Sequence, residues 1–129
     1  MCWANDYVGI PYQNRGRTRE GADCWGLACL VYAAELGMIL PALSNRYANA
    51  ADASEVGALA MDQAPLWEEV RDVRPLDLVL LRIGAHACHV GIVVEPGLML
   101  HLLRGCNAVI ERYDGPLWER RVVGVFRWH

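Results

Sequence analysis

Residues 21 to 37 read GADCWGLACLVYAAELG, running from Gly21 to Gly37. No charged residue occurs between Cys24 and Ala34. Asp23 is a good N-cap, so the spacing predicts a helix from there to about Leu36, stopped by Gly37 with Pro41 beyond. A helix apolar on nearly all sides is a central one, packed on more than one face. The rest of the fold must therefore be arranged around this segment. It also opens on a thiol, an unexpected group for the first turn of a buried helix.

The flanking chain divides into two textures. Residues 2 to 9 predict a short N-terminal helix, and residues 13 to 22, QNRGRTREGA, read as a polar loop with two glycines. A second, alanine-rich helix is expected from about Ala53 to Asp62. After Pro65 come six β-prone runs: LWEEV, LDLVLLRI, HVGIVV, LMLHLL, AVIERY and RVVGVFRW. Turn signals separate them at Pro75, Gly84, Pro96-Gly97, Gly105 and Gly115-Pro116. Parallel crossovers need a dozen or more residues, so this spacing predicts antiparallel neighbours. The expected class is α+β, with the apolar helix laid against an antiparallel sheet.

A chain of 129 residues fits one domain, here residues 1–129, and 54% hydrophobic content supplies an ordinary core. The net charge of −3 argues against a nucleic-acid binder, which carries a basic footprint. All 12 basic residues are arginine. No apolar run is long enough to span a bilayer, and MCWANDYVGIPY lacks the features of a signal peptide. With five cysteines, an odd count, the expectation is synthesis in a reducing cytoplasm with thiols rather than a disulfide frame.

A thiol becomes a nucleophile when its thiolate is stabilised, and the first turn of a helix does this through unpaired N–H groups and the dipole. Cys24 directly follows the expected N-cap. The same N–H groups can serve a developing oxyanion, and Gly26 leaves room for a substrate chain. Cys29, in mid-helix, and Cys106, in a turn-like RGCN, read as small hydrophobic or structural residues. Position alone does not make a nucleophile, because the thiol also needs a base.

Four histidines are present: His86, His89, His101 and His129. His86 reads as a loop residue, and His129 ends the sequence. His89 and His101 lie in two strand-like runs joined near Glu95-Pro96-Gly97. An odd loop pairs Val93 with Gly97, or Ile92 with Leu98, and either register sets His89 directly opposite His101. An even loop puts them on opposite faces. Opposed residues have Cβ atoms roughly 5 Å apart, which lets one imidazole orient the other. Gly91, on the same side, would admit the helix and bring Cys24 to His89. The result is a Cys, base His, orienting His set. No C-x-x-C or H-E-x-x-H spacing occurs, so no metal site is expected.

GADCWGL, RPLDLVLL, HVGIVV and MLHLL resemble, in that order, the NlpC family of cell-wall cysteine peptidases, over roughly Gly9 to Leu103. PLWERRVVGVFRW further resembles its phage-tail and gene-transfer-agent members. The resemblance implies a papain-like α+β fold and cleavage of peptidoglycan stem peptides, typically between D-γ-glutamate and a diamino acid such as meso-diaminopimelate. It implies Cys24 as nucleophile, His89 as general base and acid, His101 as orienting member, and Tyr12 of GIPY at the oxyanion. No cofactor is implied.

The chain departs from the family pattern at Trp25, where serine is usual, at Leu76, where glycine precedes the aspartate, and at the leucine after His101. Trp25 and Asp23, beside the thiol, and Arg15, Arg17 and Arg19, before it, are the candidates for contacting the anionic stem peptide. The implied partner is a phage-tail or tail-tip protein that targets the chain to the wall, with no nucleic acid and no membrane insertion. The implied location is a tail particle acting in the periplasm or cell wall. Two other readings are a silent structural tail component that binds wall peptides, and an amidase or acyltransferase using the same Cys/His chemistry.

Overall fold

The computed structural model describes residues 3–40, 67–84 and 86–128. The expected helix at Ala53 to Asp62 lies outside the described residues, as do Cys2 and His129. The chain begins with a short 3-10 turn, Trp3–Asp6, where a helix over residues 2 to 9 was expected. The segment expected to be a loop before the thiol contains a small hairpin, β1 (Arg17–Thr18) with β2 (Gly21–Ala22). Glycines permit it, because a side chain on Gly16 would strike the Gly21 carbonyl.

Helix α1 spans Cys24–Val31 and continues as a wider π turn over Tyr32–Leu36. Asp23 caps it, accepting from the Gly26 N–H at 2.7 Å. Gly37 ends it at φ 63°, a left-handed geometry that glycine adopts without steric cost. Both ends therefore stand where the cap and stop residues put them.

The six β-prone runs all form strands: β3 (Trp67–Glu69), β4 (Leu78–Ile83), β5 (His86–Glu95), β6 (Leu98–His101), β7 (Val109–Arg112) and β8 (Val122–Trp128). They make one sheet in the order β3-β8-β4-β5-β6-β7, every pair antiparallel. His86 opens β5 rather than lying in a loop.

Alternation along the strands divides the core in two. On one face, Leu78, Ile92 and Leu100 are buried in a cluster with Leu27, Ala28 and Val31 of α1. On the other, Val79, Leu81, Val93 and Met99 pack with Tyr113, Trp118 and Val125. Trp25, Cys29 and Leu30 of α1 are only partly buried, so the helix packs mainly through one side. This mixed arrangement of a helix on an antiparallel sheet is the papain-like α+β architecture.

The sheet is pinned at the start of β4. Arg74-Pro75-Leu76-Asp77 is a tight turn closed by the Asp77 N–H on the Arg74 carbonyl, with Leu76 at φ 76°. That is the second central position of a type II turn, where glycine is favoured. Leu76 thus occupies a glycine geometry while its side chain packs against the helix-side core. Asp77 is buried, and its two carboxylate oxygens take a forked pair of hydrogen bonds from Arg127 of β8 at 2.9 Å each.

Candidate active site

The histidine register is set by a two-residue turn and a bulge. Glu95 pairs with Leu98 around Pro96-Gly97, with Gly97 at φ 93°. Val94 is an extra residue between the Val93–Met99 and Glu95–Leu98 pairs. An even turn plus one bulged residue restores the parity of an odd loop. His89 and His101 therefore share a face, as the odd-loop register requires. The direct opposition does not hold, because His101 pairs with Gly91 and His89 sits one step diagonally away. A second bulge at Cys88 immediately precedes His89. Bulges of this kind re-aim side chains near functional sites.

The space beside Gly91 is filled by Met99, which a side chain at that position would strike, and not by the helix. The space beside Gly26 is likewise taken by the Gly16 carbonyl rather than left open for substrate. Both glycines permit internal packing.

The two imidazoles are joined by a hydrogen bond of 2.9 Å between His89 Nε2 and His101 Nδ1. His101 Nε2 lies 2.7 Å from Glu111 Oε1, and the same oxygen accepts from Trp118 Nε1–H at 2.9 Å. The Trp118 indole stacks on His89 and meets His101 edge-on. Both histidines are buried. Burial, with the neighbouring His101 adding to it, holds His89 well below the usual imidazole range. Burial also lowers His101, partly opposed by its bond to Glu111. Neutral imidazoles are the consequence at neutral pH. Since Nε2 of His89 faces His101, Nδ1 is the nitrogen left for a thiol.

Cys24 reaches this end of the sheet by two routes. Tyr32, at the far end of α1, donates to the Leu76 carbonyl, and the Leu76 N–H bonds Val93. The helix also packs along β5. Independently, Tyr12 bridges to Ala22 beside the thiol and donates its N–H to Cys106, in the loop that follows His101. Cys24 is buried, and Cys24, Cys29 and Cys106 lie outside any disulfide among the described residues.

Tyr12 carries the other notable polar group. Its hydroxyl is buried and finds no hydrogen-bond partner among the described residues. Burial, then the charges of Asp23 and Cys24, push it up to about 12, with Arg104 opposing. The hydroxyl stays protonated, and its donor is unspent. Arg104 and Cys106 line a surface cavity of about 430 Å³ beside it.

The remaining candidates divide. Asp23 is fully buried, and its oxygens take bonds from Gly26 N–H, Arg15 N–H and the Arg17 guanidinium. Asp23 and Arg17 thus form an ion pair of 2.9 Å at the N-cap of α1. Arg19 lies over the Tyr7 ring at 4.6 Å and donates to the Asp6 carbonyl, which ties down the N-terminal turn. Arg15 sits at φ 59° with an exposed residue surface, and Trp25 is half-buried beside the thiol.

Glu111 and Trp118 were not among the sequence candidates. A register for β6 and β7 would have identified Glu111, since His101 pairs with Val109 and Glu111 follows two residues later on the same face. Trp118 lies beyond β7 and carries no local signal.

Comparison with known proteins identifies the family and the fold. The model of the NlpC/P60 family matches residues 9–127. Murein DD-endopeptidase MepS/murein LD-carboxypeptidase of Escherichia coli strain K12 is 27% identical over 116 residues, 90% of this chain and 54% of that protein. The chain thus spans about half the length of the curated relatives it matches. Among solved structures, the NlpC/p60 domain of the peptidoglycan hydrolase SagA superposes with TM-score 0.66 and 18% identity, covering 96% of this chain and 92% of that one. An NlpC/P60 family protein of Bacillus cereus ATCC 10987 gives TM-score 0.70 and 20% identity over 97% of this chain and 37% of that one. With a family match over nearly its whole length and the family's fold around the thiol and the two histidines, the chain belongs to the NlpC/P60 family.

Proposed function

We propose that the protein is a cysteine peptidase that hydrolyses peptidoglycan stem peptides. The observation that carries this reading is the ordered His89–His101–Glu111 chain of hydrogen bonds, with Tyr12 linking the loop after His101 to Ala22, two residues before Cys24. His89 Nδ1 takes the thiol proton as Cys24 attacks the scissile carbonyl. The Cys24 N–H at the helix start and the Tyr12 hydroxyl stabilise the oxyanion. His89 then protonates the leaving amine and activates water to hydrolyse the thioester. Trp25 and Arg15 are the substrate-facing residues in this reading.

The favoured bond is the one between D-γ-glutamate and the diamino acid, as the four motifs imply. A second reading is cleavage of a D,D cross-link, favoured by the name of the Escherichia coli relative. Residues 116 to 128 resemble tail-associated members, which supports a phage or gene-transfer-agent particle, docked to a tail protein, as the place of action. No cofactor enters the mechanism.

The test is digestion of purified sacculi with mass spectrometry of the fragments, for the wild type and Cys24→Ala. Cleavage at the glutamyl bond exposes a new amine on the diamino acid, whereas a D,D cut separates cross-linked dimers into monomers. Separation of glycan from L-alanine would make the protein an amidase. Wall cleavage unchanged in Cys24→Ala would remove Cys24 as the nucleophile. Co-sedimentation with purified particles tests the tail assignment.

A further inference from the structure

We infer that Glu111, clamped by Trp118, is a positioning residue that fixes the tautomer of both histidines and so leaves His89 Nδ1 as the basic nitrogen. This rests on the peptidase reading only for its purpose, since the tautomers themselves are a property of the folded chain.

The assignment follows from donors and acceptors. An ionised carboxylate only accepts, so the 2.7 Å contact at Glu111 requires a proton on His101 Nε2. A neutral imidazole carries one N–H, so His101 Nδ1 is then an acceptor. The 2.9 Å contact to His89 requires one donor, and His89 Nε2–H supplies it. His89 Nδ1 is left bare. The alternative, an imidazolium at His101, would turn Nδ1 into a donor and force the His89 proton onto Nδ1, away from the role of base. The burial of His101 opposes that charge.

Trp118 completes the device. Its Nε1–H donates to the same Glu111 oxygen that His101 uses, which holds the carboxylate in place. Its ring is stacked on His89, with centroids 5.8 Å apart, and lies edge-on to His101 at 5.3 Å. The clamp therefore touches all three members. Glu111 is partly exposed, with 35% of its side chain meeting solvent.

Long-range ¹H–¹⁵N correlation spectra of the histidine rings test this directly. The wild type at pH 7 is expected to show His89 and His101 both protonated at Nε2 and bare at Nδ1. A proton on His101 Nδ1 in the wild type would overturn the inference without any variant. Glu111→Ala is expected to mix the tautomers at both rings, while Glu111→Gln, which keeps an acceptor oxygen, restores them. Unchanged tautomers in Glu111→Ala would also overturn it. In wall digestion, Glu111→Ala is expected to lower kcat at least tenfold with KM within twofold. Correct tautomers in a wild type that cleaves no wall would uphold the relay and defeat the peptidase reading.

Discussion

The two faces of the sheet are built from the same strands and behave differently. On the helix face, Leu78, Ile92 and Leu100 lie under Leu27, Ala28 and Val31, side chains that are apolar and satisfied by contact alone. The histidine face carries Val79, Leu81, Val93 and Met99, but also His89 and His101, whose nitrogens must find partners of the right polarity. An apolar surface tolerates repacking. A buried polar chain tolerates very little, because each unsatisfied atom loses its solvation without return. The first face should therefore govern stability, and the second should govern activity and pH response.

The largest stability effect is expected on the helix face. Ile92→Ala removes a fully buried side chain beneath α1 and should cost about 2–5 kcal/mol. Urea denaturation measures it. A cost below about 1 kcal/mol would mean that α1 is not seated on Ile92.

The next effect belongs to the histidine face and to acid. The unfolded chain binds protons at its histidines below about pH 6.5. The folded chain excludes them, from His89 down to about 3 and from His101 to a lowered value. In that window the unfolded state holds more protons, so stability falls as pH falls from about 6.5, and His89's contribution levels off near its folded value. Each histidine contributes a slope of up to about 1.4 kcal/mol per pH unit. Denaturation at several pH values should show this slope in the wild type and in Ile92→Val. It should be flatter in a His89→Gln, His101→Gln double variant. An equal slope in that variant would place the acid sensitivity elsewhere.

The smallest effect separates backbone from packing. At Leu76, glycine would relieve the positive φ but would remove a side chain packed on the helix-side core. The two terms oppose, so Leu76→Gly should change stability by less than about 1 kcal/mol in either direction. A loss above about 2 kcal/mol would show that Leu76 packing, not the turn, secures the start of β4.

The sequence carried the helix legibly because capping and charge are local. Asp23 and Gly37 mark its ends, and the strands follow from period and turn residues. The shared face of the two histidines was legible only as one of two parities. The bulge at Val94, which restores that parity after an even turn, leaves no signature in HVGIVVEPGLMLH. Asp23 was legible as the N-cap, but its bond to Arg17 was not, because that pairing depends on the β1–β2 hairpin. Glu111 was hidden because its role depends on a β6–β7 register that spans a seven-residue connection.

The central claim is that one site unites a thiol at the start of a helix on one face with an imidazole carried on the other. Alkylation of the thiol by iodoacetamide at pH 7, located by peptide mass spectrometry, measures that union. The expected result is that Cys24 reacts faster than Cys29, whose thiol burial pushes up to about 11, and that His89→Ala slows Cys24 at least tenfold. A Cys24 rate unchanged by His89→Ala would contradict the pairing, and with it the catalytic role of both residues.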